Sequence, residues 1–147
     1  MREIGTVRYL SCDDYDKGYL ELLGYLTVVD AEKISPVDFC TFVGELDHKH
    51  RVYVITDRDE KKVIATGTLL VENKIIHGCG KVGHIEDIVV HEEYQRQHIG
   101  MKMIQKLTEE AELAGCYKII LDCTDKVSPF YEKCGLHVCG LEMSLYL

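Results

Sequence analysis

Two adjacent carboxylates, Glu86 and Asp87, interrupt an otherwise apolar run, "GHIEDIVVH". A buried carboxylate is costly unless a cation or a hydrogen-bond donor offsets it, so such a pair suits general-base work or the holding of a cationic group. In a regular strand neighbouring side chains face opposite ways. Both can serve one cleft only if a bulge re-aims one of them, and a bulge is therefore expected here. The alternative is that nearby Lys, Arg or backbone N–H groups satisfy both. Next comes "QRQHIG", residues 95 to 100, where a helical pattern begins. Its amides, continued by the unpaired amides of the first helical turn, form a cradle for an anion, and Gly100 removes a Cβ where a ligand could pass closely. Such turns precede many ordinary helices, so this fragment alone is unspecific. Tyr131, in "SPFYEKCG", can donate a proton at neutral pH because a free phenol has a pKa of about 10. Its alternative is a core aromatic beside Phe130 and Cys134.

The elements that must position these groups follow from hydrophobic spacing. A first strand is predicted over "TVRYL", then a helix with Tyr19, Leu22, Leu23 and Leu26 on one face. Ser35 and Pro36 are a good cap and first position for a second helix, buried through Phe39, Phe42, Val43 and Leu46. "RVYVIT" and "KVIATGTLLVE", separated by "DRDEK", read as an antiparallel hairpin, and "KVGHIEDIVVH" as the next strand. The longest helix follows, with Ile99, Met103, Leu107, Ala111 and Ala114 on one face and Gly115 closing it. "YKIILDC" comes after so short a connection that a strand–helix–strand crossover with parallel pairing is implied. Ser128 and Pro129 cap a short helix stopped by Gly135, and "HVCGLEMSLYL" reads as a last strand, pairing within the chain or with a second copy. The expectation is one α/β domain over residues 1–147 with a mixed, mostly antiparallel sheet and flanking helices.

Composition excludes several classes. The 147 residues, 46% hydrophobic, support one core, and no repeat or linker divides them. A formal charge of -8 argues against nucleic acid as a partner. No apolar run could span a bilayer and no signal-peptide pattern opens the chain, so a cytoplasmic location is expected. The seven cysteines contain no C-x-x-C pair and fit reduced thiols. His77, Cys79 and His84 are the tightest metal-like grouping, but their spacing fits no common zinc pattern and no metal is expected. "HKHR" at residues 48 to 51 reads as a solvated turn.

"IEDIVVHEEYQRQHIGMKMI" resembles the acetyl-CoA motif of the GNAT superfamily of N-acetyltransferases. With it, "KIIH", "GHIEDIVV", "CYKIILDC" and "FYEKCG" stand in the order and spacing of that superfamily's glucosamine 6-phosphate N-acetyltransferase family. The likeness covers nearly the whole chain. It implies transfer of acetyl from acetyl-CoA to the amine of glucosamine 6-phosphate, on the way to UDP-N-acetylglucosamine, by a homodimer with composite active sites. It also implies roles. Glu86 is the favoured base, direct or through water, with a backbone carbonyl and solvent as the alternative route for the proton, and Asp87 orients the sugar. Tyr131 stands near the CoA sulfur and protonates the leaving thiolate. Ile88, Val89 and Val90 pair with the pantetheine arm as an added strand would, and Arg96, Gln97, His98, Ile99, Gly100 and Met101 enclose the pyrophosphate. Thr27, Lys74, Ile75, Ile76, His77, Ile88, Tyr117, Lys118 and Asp122 match sugar-phosphate positions, Lys74 and His77 supplying cationic donors.

Three departures from the family pattern stand out. His98 and Arg96 replace small residues in the pyrophosphate turn. Val127 stands where many relatives carry Asn, and Asn73 is the only Asn in the chain, so that contact is either missing or replaced, with Ser128 or Lys126 the nearest candidates. Tyr146 stands at a position that is often basic, and loss of a charge-assisted bond costs about 1.5–3 kcal/mol of phosphate affinity. Two other readings compete: acetylation of another small amine such as a polyamine or amino sugar, and a catalytically silent CoA-binding regulatory module.

Overall fold

β-Branched residues crowd the centre of the chain, and there they build the middle of the sheet. In the computed structural model, which describes residues 1–147, β2 (His50–Asp57) and β3 (Val63–Asn73) pair antiparallel as expected. β1 (Ile4–Tyr9) joins β2 and β4 (Lys81–Val90) joins β3, both antiparallel. β5 (Cys116–Ile120) runs parallel to β4, giving the order β1-β2-β3-β4-β5 with one crossover. The mixed, mostly antiparallel sheet is the one the sequence implied.

Each face of the sheet carries a core. On one, the crossover helix α4 (Ile99–Leu113) packs Met103, Ile104, Leu107 and Ala111 against Ile55, Ile64, Leu69 and Ile85. Burying each Ile, Leu or Met side chain among them contributes about 1.5–3 kcal/mol. The i, i+4, i+8, i+12 series from Ile99 to Ala111 is buried throughout, and Gly115 takes the left-handed conformation (φ +83) that ends the helix. On the other face, α1 (Tyr19–Leu23) and α2 (Pro36–Glu45) set Leu20, Leu22 and Phe39 on Val52, Val54, Val63 and Val89. Ser35 caps α2 as expected: its Oγ accepts from Asp38 N at 3.1 Å, and the Asp38 carboxylate accepts from Ser35 N at 2.9 Å.

Four expectations fail. α1 has only five residues and stops at Gly24, so Leu26 falls on the following turn and is largely exposed. Phe42 lies at the rim of the core, edge-on to His50 with ring centroids 6.0 Å apart, and is not buried. Ser128 is the first residue of α5 (Ser128–Lys133) and not its cap; Val127 precedes it, and the Ser128 hydroxyl donates to Asp125 O at 3.2 Å. Finally, residues 137–147 form no strand. Val138, Leu141, Met143, Leu145, Tyr146 and Leu147 are all exposed, and the segment joins no edge of the five-stranded sheet within the chain.

A single turn, α3 (Ile76–Cys79), follows β3. His77 and Gly78 in it both have positive φ, and Lys74 N–H donates to Gly80 O to close the loop.

Candidate active site

The bulge foreseen at the carboxylate pair is present. Along β3 the register advances two residues from Thr66 to Thr68, while along β4 it advances three from Val89 to Glu86. Asp87 takes the left-handed conformation (φ +51) as the extra residue is absorbed. Glu86 and Asp87 consequently border the same space, a cavity of about 1110 Å³.

A second feature opens that cavity. β4 and β5 pair only from Lys81 to His84, opposite Cys116 to Ile120. Beyond His84 the two strands part, and the β5-facing edge of Ile85–Val90 is left without a ladder partner. The cavity lies between this free edge, the start of α4 and α5. An open edge with unpaired main-chain groups suits an extended, amide-bearing ligand.

At the far end, the "QRQHIG" turn enters α4. Arg96 and His98 are both left-handed (φ +60 and +61), an alternation that converges successive N–H groups into an anion-binding concavity. The His98 side chain makes no capping bond, so the first-turn amides of α4 are free for a ligand. Gly100 has a different reason from the one inferred from sequence. A Cβ there would meet Phe130 Cζ at 3.1 Å and Val90 Cγ2 at 3.7 Å, so the glycine lets α5 approach α4. An open edge, a nest of amides and a cavity of this volume together fit a phosphopantetheine-type ligand. Ile88, Val89, Val90, Arg96, His98, Ile99, Gly100, Met101 and Tyr131 would hold it.

Of the acceptor positions, Thr27, Glu86, Asp87, Ile88 and Asp122 line this cavity. Of the cofactor positions, Gln97 does not: its Oε1 accepts from Arg2 N at 2.8 Å and its Nε2 donates to Glu93 O. Lys74, Ile75, Ile76, His77, Tyr117 and Lys118 also lie outside it and gather at the opposite end of β4. There His77 stacks on Tyr117 with centroids 4.2 Å apart, and the Lys118 ammonium lies 5.9 Å from the same ring. Lys74 is paired with Glu72 at 2.8 Å, and Glu72 also accepts from or pairs with His84 Nε2 at 2.9 Å. Roughly 17 Å of strand separates Lys81, where that loop ends, from Glu86. Of the residues proposed to replace the missing Asn, Ser128 is bonded back to Asp125 and neither it nor Lys126 borders the cavity, whereas Val127 does.

The electrostatics match acid–base chemistry. Glu86 is raised above the ordinary carboxylate range, first by burial and then by the charges of Asp122 and Asp87. Tyr131, half-buried on α5, is also raised, first by burial and then by Cys123 and Cys134. It therefore stays protonated at neutral pH. The sequence reading missed Leu26, Leu121, Cys123 and Thr124, which border the cavity as well. The last three follow β5 directly, and the rule that ligands bind at the carboxyl ends of parallel strands could have found them. A smaller cavity of about 500 Å³, between α1, α2 and the sheet, also touches Glu86 and Asp87.

Residues 25–136 match the family described as Acetyltransferase (GNAT) family. A curated relative from Dictyostelium discoideum, "Glucosamine 6-phosphate N-acetyltransferase 1", is 42% identical over 142 residues, 97% of this chain and 90% of the relative. One from Candida albicans, "Glucosamine 6-phosphate N-acetyltransferase", is 45% identical over 94% of this chain and 93% of its own length. Among solved structures, glucosamine-6-phosphate N-acetyltransferase from Arabidopsis thaliana superposes with a TM-score of 0.91. It is 37% identical and covers 96% of this chain and 97% of its own.

Proposed function

The chain belongs to the GNAT family of acetyltransferases, and from that premise we propose that it transfers acetyl from acetyl-CoA to the amine of glucosamine 6-phosphate. The names of its curated relatives support this substrate. The observation that carries the chemistry is the bulge, which brings Glu86 and Asp87 to the cavity that Tyr131 borders from the other side.

Bound acetyl-CoA supplies the thioester carbonyl that the amine attacks. Glu86 takes the proton that the amine sheds as the new C–N bond forms, directly or through one water, and its raised pKa makes it the stronger base. Tyr131 gives its phenolic proton to the sulfur as the C–S bond breaks and regains one from solvent. Asp87 orients the acceptor, and the free edge at Ile88–Val90 and the amides around His98 fix the cosubstrate, so much of the rate gain comes from positioning.

The second part of the proposal is the homodimer. Lys74, His77, Tyr117 and Lys118 lie too far along β4 from Glu86 to complete its site, and residues 137–147 present exposed apolar side chains with no ladder partner. A second copy that pairs with the C-terminal segment would cover those side chains and bring its own Lys74 loop to the phosphate. The functional domain then runs from residue 1 to 147. No helix is long and apolar enough to cross a membrane, and a cytoplasmic location suits the free cysteines.

The deciding experiment is release of CoA thiol from acetyl-CoA with glucosamine 6-phosphate, unphosphorylated glucosamine, a polyamine or no acceptor. A rate confined to the phosphosugar supports the proposal. Turnover with the polyamine instead, or CoA binding without turnover, would replace it.

A further inference from the structure

The turn after α1, residues 24–27, brings Leu26 and Thr27 to the cavity rim, whereas Tyr25 is not part of the lining and contacts the residues that follow β4. The Tyr25 hydroxyl lies 3.4 Å from His91 Nε2 and donates to Glu92 Oε1 at 3.4 Å. Its ring packs edge-on against the imidazole, with centroids 5.0 Å apart. His91 is 8% exposed, its N–H donates to Ile64 O at 2.8 Å, and its ring also meets Tyr94 at 6.0 Å. From the β2–β3 turn, Lys62 Nζ lies 2.8 Å from the same Nε2, and Glu93 N–H points at Nδ1 at 3.3 Å. Nδ1 thus faces the Glu93 N–H and Nε2 faces the Lys62 ammonium beside the Tyr25 hydroxyl, so a second proton on the imidazole is opposed at one nitrogen by a donor and at the other by a cation. Burial and then the Lys62 charge push the His91 pKa down, Arg2 adding to this while Glu93 and Glu92 oppose it. The nine-tenths-buried imidazole belongs neither to the acid–base pair nor to the cavity lining.

We propose that His91 is a positioning residue: braced by Lys62, it anchors Tyr25 and so seats Leu26 and Thr27 on the cavity, building the acceptor side of the site on the end of the cofactor strand. The backbone hydrogen bonds of this turn run from the N–H groups of Gly24, Tyr25, Leu26 and Thr27 to carbonyls of residues 20–23, a frayed continuation of a five-residue helix. Short helical ends of this kind open readily without a tertiary anchor.

The test compares wild type with Tyr25→Ala, His91→Gln and Lys62→Met by amide hydrogen exchange and by kinetics. In Tyr25→Ala and His91→Gln, the amides of residues 25–27 should exchange about tenfold faster, while those of β4 stay unchanged. The acceptor KM should rise about fivefold, with kcat and CoA affinity within about twofold of wild type. In wild type the acceptor KM should rise as pH falls through the depressed His91 value. Lys62→Met should move that rise to higher pH by removing the opposing cation. Wild-type exchange at residues 25–27 in both variants would overturn the proposal, as would parallel loss of CoA affinity and kcat. The KM arm rests on the acceptor assigned above. The exchange arm does not, so failure of that assignment leaves exchange to decide this one.

Discussion

Gly67 lies directly beneath Ile88: a Cβ on Gly67 would come within 2.6 Å of Ile88 Cδ1, and within 2.9 Å of Met103 Cγ. Gly67 is the β3 residue skipped by the register where β4 bulges. The bulge that re-aims Asp87 also tips Ile88 down toward β3 and α4, into the space a side chain at residue 67 would fill. The Gly67→Ala variant should therefore be destabilised by about 1–3 kcal/mol, the usual cost of overpacking. Its kcat should also fall, since relief of the clash must move Ile88 and with it the carboxylate pair. Urea unfolding and the thiol-release assay check both, and normal stability with normal kcat would dissociate the bulge from the glycine.

Tyr131→Phe removes one hydroxyl from a half-buried ring and should leave the fold and CoA affinity intact. Loss of a general acid is worth about 10²-fold or more in kcat. Isothermal titration with CoA beside steady-state kinetics separates the two quantities. Equal loss of both would make Tyr131 a packing residue.

A pH profile tests Glu86. A general base must be ionised, so kcat/KM should fall as pH drops through the Glu86 pKa. That acidic limb should lie above the ordinary carboxylate value, because burial, Asp122 and Asp87 all raise it. Glu86→Gln should lower kcat/KM and abolish the limb. An unchanged limb in that variant would assign the titration to another group.

Composite sites predict complementation between two impaired variants. Lys74→Met should raise the phosphosugar KM and Glu86→Gln should lower kcat. Co-refolding the two should restore about a quarter of wild-type sites, because half the dimers are mixed and each mixed dimer holds one intact site. No recovery, or a monomer in sedimentation, would place each site within one chain.

Stability at low pH should follow Asp14. Its fully buried carboxylate accepts from both Arg8 nitrogens at 2.7 and 2.8 Å and from Ser11 N at 2.9 Å. Burial pulls its pKa up, but Arg8 and the Ser11 N–H outweigh this and hold it below the ordinary value. A depressed carboxylate contributes stability above its unfolded pKa, and that contribution is lost as pH falls through the folded value. Arg8→Met should cost about 3 kcal/mol at pH 7 by leaving a buried charge unpaired. Denaturant unfolding at pH 7 and pH 3 measures it, and the gap between wild type and variant should shrink at the lower pH.

The sequence by itself determined the features that depend on short-range periodicity. The α4 stripe from Ile99 to Ala111, the β2–β3 hairpin, the Ser35 cap and the parallel crossover are each encoded within a few residues of one another. The bulge was legible too, since two adjacent carboxylates in a strand can share a cleft in few other ways. Tertiary structure alone decided the rest. That β4 and β5 part after His84, leaving Ile85–Val90 an open edge, depends on pairing between strands some 35 residues apart in sequence, roughly the span of a crossover unit. That Gly100 serves Phe130, and that Lys74 is paired with Glu72 far along β4 from Glu86, follow from contacts no spacing rule encodes. The C-terminal segment has the alternation of a strand, but a strand forms only where it meets another strand's free N–H and C=O groups, and within this chain the segment pairs with none of the sheet's edges.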